Sequence, residues 1–318
     1  MRRYTTRLRY FTLLLVCCSA TWLVVAQTSD SDSTLLAELK GKANSEGWKI
    51  AEWQNRGATG YLNLFPFSAA PRTKLELNRK YNTGWVQPGG RLLLTWENGQ
   101  LFRYDLESQN ESAGPVTDAG VVFGALSADG RRVAVSLVRS LSRPGTDGSR
   151  LKHVFYIGDW IEGNGMRSLV ESDSLLTSRT VSWDRDGRNL VVGIGGRVTI
   201  YGGSTSNERR VVAEGSEPMW SPDGRSISFL TPSKDAAIYD TVTGITRTIM
   251  PGRKPLARLE WSPDSKYLLF SEKSFSPPCA STRVAVLRVA DGITSTVLEQ
   301  CLGWTNEALG WIIVPRRQ

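Results

Sequence analysis

Histidine is almost absent from this sequence, since His153 is the only one in 318 residues. A Ser-His-Asp triad would have to use that residue, and the chain contains no G-x-S-x-G elbow to present a nucleophilic serine. His153 directly precedes the apolar run Val154–Ile157, which favours a residue at the end of a strand over a catalytic base. The sequence therefore predicts no catalytic residue and no cofactor.

Patterns of metal ligands are equally scarce. No cluster of histidine and cysteine has the spacing of a zinc site. Asp184, Asp186 and Gly187 resemble the start of a calcium-binding loop, but the third acidic ligand and the distal glutamate are missing. Because the same residues belong to a repeated turn, we interpret them as structural, and no metal site is predicted.

Long hydrophobic runs are also missing, with one exception at the N-terminus. The run Phe11–Ala26 follows four arginines, which is the pattern of an export signal. We predict that residues 1–26 are a signal peptide cleaved before Gln27, which gives a periplasmic or secreted protein. The alternative is a membrane anchor formed by residues 10–26, which are just long enough to span a bilayer.

One decapeptide occurs twice, and it dominates the rest of the chain. The segment Trp220–Phe229 recurs as Trp261–Phe270, and a looser copy spans Trp183–Val192. Weaker copies lie at 126–131 and 85–91, and a remnant lies at 304–307. A spacing of about forty residues means that each copy is one supersecondary unit of an array.

The chemistry of each copy predicts its structure. Proline fixes φ for a turn, and Asp-Gly supplies the positive φ values of a tight hairpin. Tryptophan offers a large apolar surface for packing one sheet on the next. Four strands in each repeat, regular turns and no long helical periodicity predict an all-β fold. That fold is a six-bladed β-propeller of four-stranded antiparallel blades.

These residues resemble the TolB-type, WD40-like propeller repeat, whose core reads W-S-P-D-G-(K/R)-x-I-x-F. The resemblance covers roughly residues 60 to 314 and implies an exported interaction scaffold more often than an enzyme. It also implies structural anchors, which are Trp85, Trp183, Trp220, Trp261 and Trp304 with the turn residues Asp129, Asp186, Asp223 and Asp264.

The two ends of the chain are predicted to share the last blade. An inner strand ending at Trp304 and a second strand at 309–314 leave that blade two strands short. The segments Tyr61–Phe67 and Thr73–Leu77 supply the outer pair, so each end gives two strands. The propeller then occupies residues 59–318.

The segment before the propeller, residues 27–58, is predicted to be a polar tether. A short helix is predicted to start in it at Leu35–Lys40, with Ser33 as its N-cap.

Two cysteines, Cys279 and Cys301, remain after removal of the signal peptide. Cys279 is placed in a long loop of blade 5, and Cys301 is placed at the passage into blade 6. Both positions lie on one face of a propeller, and an exported chain meets an oxidising compartment, so a disulfide is predicted. The alternative is a pair of buried free thiols.

The segment 138–152 explains the longest gap between repeats, because it is an insertion in blade 2. Its basic residues Arg139, Arg143, Arg150 and Lys152 are predicted to bind a partner, since long loops often carry function. The loop 274–283 of blade 5 emerges on the same face.

Three functions are consistent with these observations. The first is an exported, monomeric, non-catalytic scaffold that binds a protein or peptide. The second is a propeller enzyme of lyase or lactonase type with a cation bound in its channel. The third is a structural or sensory domain held by an uncleaved N-terminal helix. Loss of the signal peptide would lower the net charge from +8 to +4, so no nucleic-acid partner is predicted.

Overall fold

Strands account for almost all of the regular structure. The computed structural model describes residues 30–56, 59–67, 72–77, 81, 83–117, 120–141, 150–161, 165–173, 180–202, 209–253, 255, 258–276, 279–301 and 309–314. A single helix among them, α1 (Asp30–Glu46), precedes the strands. The predicted signal peptide at residues 1–26 lies outside the described residues.

The 24 strands of the described residues are, in chain order, β1 (Trp48–Arg56), β2 (Thr59–Phe65), β3 (Thr73–Glu76), β4 (Thr83–Val86), β5 (Leu92–Glu97), β6 (Gln100–Asp105), β7 (Glu111–Val116), β8 (Val121–Leu126), β9 (Arg132–Leu141), β10 (Arg150–Asp159), β11 (Arg167–Ser172), β12 (Val181–Trp183), β13 (Asn189–Ile194), β14 (Arg197–Gly202), β15 (Arg209–Glu214), β16 (Ser216–Trp220), β17 (Ser226–Leu230), β18 (Ala236–Asp240), β19 (Thr246–Met250), β20 (Glu260–Trp261), β21 (Tyr267–Ser276), β22 (Cys279–Arg288), β23 (Thr294–Cys301) and β24 (Leu309–Ile313).

These strands form six antiparallel sheets of four strands, which are the six predicted blades. From the centre outwards, blade 1 is β4-β5-β6-β7, blade 2 is β8-β9-β10-β11, blade 3 is β12-β13-β14-β15, blade 4 is β16-β17-β18-β19 and blade 5 is β20-β21-β22-β23. Blade 6 is β24-β1-β2-β3. The first strands of neighbouring blades contact one another around the ring. The predicted six-bladed propeller is therefore confirmed.

The repeated turn joins the first two strands of a blade and is held by its own side chains. In blade 4, Ser221 Oγ donates to Asp223 Oδ1 at 2.6 Å, and Asp223 Oδ1 accepts from the backbone N of Arg225 at 3.0 Å. Ser221 Oγ also accepts from the backbone N of Ser226 at 2.9 Å, while Gly224 takes a φ of 76°. The same side-chain bonds recur in blades 2 and 5, at Ser127–Asp129 and Ser262–Asp264.

Successive antiparallel strands give the ring two distinct faces. We call one the turn face, because it carries the repeated turns at 87–91, 127–131, 184–188, 221–225 and 262–266. The connections between third and fourth strands emerge there too. The opposite, hairpin face carries the connections between second and third strands, which include the long hairpins β1–β2, β9–β10 and β21–β22.

Close contact between blades depends on a small residue at one point. A Cβ atom added to Gly124 of β8 would lie 2.5 Å from Leu94 Cδ2 and 3.3 Å from the ring of Trp85, both in blade 1. The ring centroids of Trp85 and Phe123 lie 5.9 Å apart beside it. Gly124 therefore lets the inner strand of blade 2 approach the side chains of blade 1.

We expect Gly124→Ala to lower the free energy of unfolding by about 1–3 kcal/mol, since the new methyl group overpacks a filled interior. Urea unfolding measures the change. Gly120→Ala is the matched control, because Gly120 is exposed and a Cβ there meets no atom within 4 Å. Equal stability of the two variants would contradict this account of the interface.

Blade 6 closes the ring differently from the prediction of two strands from each end. The N-terminus supplies three strands and the described C-terminus supplies one, β24, which pairs with β1 from Trp48↔Ile313 to Glu52↔Leu309. The propeller thus begins at Trp48, inside the segment predicted as tether. The segment 309–314 was predicted as the second strand, but it is the innermost one.

Trp311 occupies in blade 6 the position that Trp261 occupies in blade 5, and the role predicted for Trp304 stays a prediction. Trp261 Nε1 donates to the carbonyl oxygen of Met219 in the preceding blade at 3.1 Å. Trp311 Nε1 makes the equivalent bond to the carbonyl oxygen of Glu260 at 3.0 Å. Trp304 itself lies outside the described residues.

Helix α1 packs on blades 5 and 6 and is longer than predicted. It begins at Asp30, so Ser33 lies within the helix and not at its N-cap. Leu35 and Leu39 are fully buried in a cluster shared with these two blades. Glu38 accepts hydrogen bonds from Tyr267 and, at 2.8 Å, from Arg288. Within the described part of the chain, no helix has the length and apolarity needed to cross a membrane.

The central channel is crossed by one arginine. Arg258 precedes the inner strand of blade 5, yet its guanidinium lies 4.5 Å from the ring centroid of Phe123 on the opposite blade 2. It also forms a buried ion pair with Glu260. Burial raises the pKa of Glu260, while Arg258 acts to lower it. This contact joins blades that do not neighbour each other in the ring.

Candidate functional site

A cavity of about 630 Å³ opens on the turn face, over blades 1 to 4. Its walls come from the repeated turns and from the third strand and following connection of blade 1. The lining residues are Gln87, Pro88, Gly89, Arg91, Leu92, Arg103, Asp105, Ser108, Asn110, Glu111, Ser112, Leu126, Ser127, Ala128, Asp129, Trp183, Asp184, Arg185, Trp220, Ser221 and Pro222. We call it the turn-face cavity; its volume lies in the range of small-ligand and peptide sites.

Hydrogen bonds between blades fix the walls of the cavity. Gln87 of blade 1 accepts from the backbone N of Leu126 in blade 2 at 2.6 Å. Arg103 donates across the same boundary to the carbonyl oxygen of Gly130 at 2.5 Å. Arg132 repeats this contact between blades 2 and 3, donating to the carbonyl oxygen of Gly187 at 2.8 Å. The turns therefore form a connected frame, and the cavity is preformed.

The acidic groups of blade 1 in the cavity already have hydrogen-bond or ion-pair partners. Asp105 forms an ion pair with Arg91 at 3.0 Å and accepts from the backbone N of Ser108 at 3.0 Å. Partial burial raises the pKa of Asp105, but these hydrogen bonds outweigh it and hold the pKa below the ordinary value. Glu111 accepts a hydrogen bond from the hydroxyl of Tyr81.

The acidic groups of blades 2 and 3 are bound in the same way. Asp129 accepts from Ser127 Oγ at 2.6 Å, and this bond lowers its pKa against the raising effect of burial. Asp184, which replaces the turn serine in blade 3, accepts from Asn189 Nδ2 at 2.7 Å and from the backbone N of Arg188 at 2.8 Å. All four carboxylates that line the cavity thus serve the fold.

Two arginines of the cavity have no such charge partner. Among the described residues, no carboxylate oxygen lies within 4.0 Å of the guanidinium of Arg103 or of Arg185. Arg103 is held by Gly130 and lies 5.4 Å from the ring centroid of Trp160. Arg185 is exposed and stands against the turn of blade 4, since a Cβ on Gly224 would lie 3.2 Å from Arg185 Cβ.

In the described part of the chain, the indole N–H groups beneath the cavity lack the hydrogen bonds that the indole N–H groups on the other side of the ring make. Trp261 and Trp311 donate to the preceding blade, as described for the fold. By contrast, Nε1 of Trp183 and of Trp220 is buried, and no acceptor for either atom lies among the described residues. The indole rings of blades 3 and 4 are therefore held by packing alone.

Of the residues predicted to bind a partner, Arg139, Arg150 and Lys152 lie in the strands that lead to the hairpin face, away from this cavity. Their segment was predicted as a loop, but residues 138–141 and 150–152 belong to the strands β9 and β10, in which Arg139 pairs with Lys152. Lys152 forms an ion pair with Glu171 at 3.1 Å. Arg143 and the side chains of Arg139 and Arg150 lie outside the described residues, so their binding role stays a prediction.

The predicted loop 274–283 is likewise a hairpin, formed by β21 and β22. Cys279 begins β22 and Cys301 ends β23, where its backbone pairs with Ser281. Cys279 thus belongs to a strand and not to a loop, and Cys301 ends the fourth strand of blade 5. Their side chains lie outside the described residues, and the disulfide stays a prediction.

His153 and the candidate metal ligands do not form a site among the described residues. His153 lies within β10 between Val138 and Ser172, and it does not line the cavity. The described residues contain no group of three His, Cys, Asp or Glu side chains arranged to hold a metal ion.

Sequence reasoning did not find Arg103 or Arg185. A signal existed at Arg185, because this residue stands where the closer copies of the turn have Pro222 and Pro263. No comparable signal marks Arg103, which occurs in an ordinary third strand.

No protein-family model matches the chain, and no curated protein matches it in sequence. Solved structures match it in fold. TolB from Acinetobacter baumannii is 12% identical, with a TM-score of 0.57 over 85% of this chain and 69% of that one. A TolB-type protein from Agrobacterium tumefaciens is 14% identical, with a TM-score of 0.54 over 85% and 99%.

An oligogalacturonate lyase from Vibrio parahaemolyticus is also similar, at 14% identity and a TM-score of 0.54 over 81% of this chain and 76% of that one. At sequence identities this low, structural similarity shows a shared fold and not a shared activity. The resemblance drawn from the repeats is confirmed at that level: the chain has the six-bladed β-propeller fold of the TolB structures.

Proposed function

We propose that this chain is an exported, non-catalytic binding module that holds a protein or peptide partner in the turn-face cavity. The observation that carries the proposal is the preformed cavity of about 630 Å³ between four blades. A rigid concave site with a few polar groups binds without first ordering its own walls.

Export and the protein nature of the partner have separate support. The N-terminal arginines and the following apolar run have the pattern of a signal peptide. Two of the similar structures are TolB proteins, and the repeat itself resembles the TolB type. A periplasmic or secreted monomer accords with both observations.

The lining of the cavity supports binding better than catalysis. Its carboxylates and the hydroxyls of Ser127 and Ser221 are engaged in the turns. A general base or nucleophile needs a lone pair directed at the substrate. The side chains that remain available, such as those of Arg185 and Asn110, recognise a ligand without transforming it.

We expect Ala128→Trp to abolish capture of the partner, because an indole at this exposed turn position fills the cavity. Affinity capture from the native envelope fraction, followed by mass spectrometry, measures the effect. Ala290→Trp is the matched control, since Ala290 is an exposed turn residue on the same face of blade 5 outside the cavity. A partner that binds both variants equally would place the interface elsewhere, with the hairpin face as the next candidate.

The alternative is a lyase, and one observation favours it: oligogalacturonate lyases share the fold, and one of them is in complex with manganese. Elemental analysis of the purified chain for bound manganese, calcium or zinc tests this, together with incubation with oligogalacturonate. A bound metal and the release of unsaturated uronate would support the enzyme over the scaffold.

A further inference from the structure

We propose that the connection between β18 and β19 in blade 4 docks a partner helix that carries an apolar face and a basic residue beside it. Val242 and Ile245 of this connection are 80% and 64% exposed, which makes them the two most exposed large apolar side chains among the described residues. Neither residue lines the turn-face cavity. The proposed surface is therefore a second site on the turn face, and it does not depend on the function proposed for the cavity.

The connection is held in place although it is exposed. Asp240 Oδ1 accepts hydrogen bonds from the backbone N of Val242 at 2.9 Å and from that of Thr243 at 2.8 Å. Thr241 Oγ1 donates to the carbonyl oxygen of Arg225, at 3.0 Å, in the repeated turn of the same blade. A partner therefore meets a preformed surface and does not have to order this loop when it binds.

The turn itself does not require apolar residues at the exposed positions. Blade 1 has an equivalent six-residue connection, and in both connections the backbone N of the first residue donates to the carbonyl oxygen of the sixth at 2.9 Å. The third and sixth residues are Val242 and Ile245 in blade 4, but they are Glu107 and Asn110 in blade 1. The apolar pair is thus a property of blade 4, and adjacent exposed apolar residues mark an interaction site.

Blade 5 shows which kind of element packs at the same position. In its equivalent connection, the backbone N of Arg288 donates to the carbonyl oxygen of Ile293 at 2.8 Å. Ile293 packs against the cluster that contains Leu35 and Leu39 of α1, two leucines that share one face of the helix. A helix with an apolar face therefore packs in blade 5 at the position that is open to solvent in blade 4.

The charge of blade 4 selects a basic residue on such a helix. In blade 5, Arg288 forms an ion pair with Glu38 of α1 at 2.8 Å, whereas the equivalent first residue of the connection in blade 4 is Asp240. The hydrogen bond from the backbone N of Thr243 holds the pKa of Asp240 below its ordinary value, and Arg225 adds a weaker attraction without forming an ion pair. A helix on blade 4 thus meets a carboxylate where α1 meets a guanidinium, so lysine or arginine is the complementary residue.

Two synthetic helical peptides test the proposal. Both copy residues 30–46 and carry a fluorescent label and a hydrocarbon staple on the face opposite Leu35 and Leu39. One peptide keeps Glu38, and the other has Glu38→Lys. Fluorescence anisotropy measures their binding to the purified full chain and to four variants, which are the double variant Val242→Ser with Ile245→Ser, Asp240→Asn, Val211→Ser and Ala128→Trp.

Two of these variants are controls. Val211 is a 45% exposed valine of blade 3, so Val211→Ser removes an exposed apolar side chain away from the proposed surface. Ala128→Trp fills the turn-face cavity and leaves blade 4 unchanged. Circular dichroism and thermal unfolding verify that every variant is folded.

We expect the Glu38→Lys peptide to bind the full chain saturably and to bind the double variant at least about tenfold more weakly, because both apolar contacts are lost. Asp240→Asn should weaken its binding by about threefold to tenfold, and the peptide that keeps Glu38 should bind the wild type more weakly by a similar factor. Binding to Val211→Ser and Ala128→Trp should change by less than about twofold, since these sites are distant.

The contrary outcomes are distinct. Equal binding of the Glu38→Lys peptide to the wild type and to the double variant, or no saturable binding, would overturn the docking site. Tighter binding of the peptide that keeps Glu38 would overturn the basic partner. Loss of binding in Ala128→Trp alone would place the peptide in the turn-face cavity and overturn the second site, while the function proposed for the cavity would stand.

Discussion

Replacing Arg258 with alanine is expected to destabilise the propeller by about 3–5 kcal/mol, because it leaves a buried carboxylate without its counter-charge. The side chains of Arg258 and Glu260 are 8% and 9% exposed, and they face each other in the channel. The contact of Arg258 with Phe123 across the ring is lost in the same substitution. Urea unfolding followed by circular dichroism measures the change.

The size of this loss should depend on pH. Burial raises the pKa of Glu260 above its ordinary value of 4.5, and Arg258 opposes that effect. Above pH 4.5 the unfolded chain releases a proton that the folded chain retains, so the free energy of unfolding falls as the pH rises through the folded pKa. Removing Arg258 raises the folded pKa further. The destabilisation should therefore be larger at about pH 7 than at about pH 4.

Two further variants test whether the loss of stability in Arg258→Ala comes from the ion pair with Glu260 or from packing on Phe123. Arg258→Ala combined with Glu260→Gln should recover part of the stability and lose the pH dependence, because no buried charge remains. Arg131→Ala removes an arginine whose side chain is 85% exposed and should have almost no effect. Loss of stability that is equal at both pH values would show that packing on Phe123, and not the ion pair, is what Arg258 supplies.

Replacing Trp311 with alanine is expected to lower the free energy of unfolding by about 3–5 kcal/mol, since a nearly buried indole leaves a cavity at the closure of the ring. Its ring stacks on Phe67 at 5.6 Å and meets Trp48 edge-on at 5.5 Å. The substitution also removes the hydrogen bond to the carbonyl oxygen of Glu260. Thermal and urea unfolding measure the change.

Trp304→Ala is the informative comparison, because the repeat pattern places the anchor of blade 6 at Trp304. We expect its loss of stability to be smaller than that of Trp311→Ala. The reverse order would contradict the closure described for β24 and restore the arrangement of two strands from each end.

The number of blades and the pattern of strands could be predicted because the contacts that form the repeated turn join residues close together in the sequence. Ser221, Asp223 and Gly224 make nearly all of their turn contacts with one another and with the next two residues. Such short-range chemistry is visible in a single copy. A copy with Asp184 in place of serine keeps the turn through the amide of Asn189, so even degenerate repeats could be counted.

The closure could not be predicted in detail because its contacts are distant in sequence. The end of β24 and the residue after it are held by distant glycines: Gly90 accepts from the backbone N of Ile313, and Gly47 accepts from that of Val314. In sequence, Trp304 with the following Thr305 and Asn306 resembles the other anchors more closely than Trp311 does.

The candidate site escaped prediction for a related reason. Arg103 and Arg185 are 82 positions apart in the sequence, and both line the cavity only because several blades converge on it. The densest run of basic residues along the chain lies instead at 138–152, in another part of the ring. The density of charged residues along the sequence does not locate a binding site in a propeller, because such a site is assembled from single residues of several repeats.

The strand composition of blade 6 also constrains how the protein is made. Its first three strands are synthesised before the other five blades and its innermost strand after them. Until β24 leaves the ribosome, β1 has an unpaired edge, and blades 1 and 5 have no common neighbour. β1 and β24 are about 260 residues apart in the sequence. Their pairing is a late and slow event, because the entropy of closing this long loop is lost before the stabilising contacts form. The ring therefore stays open until β24 is made.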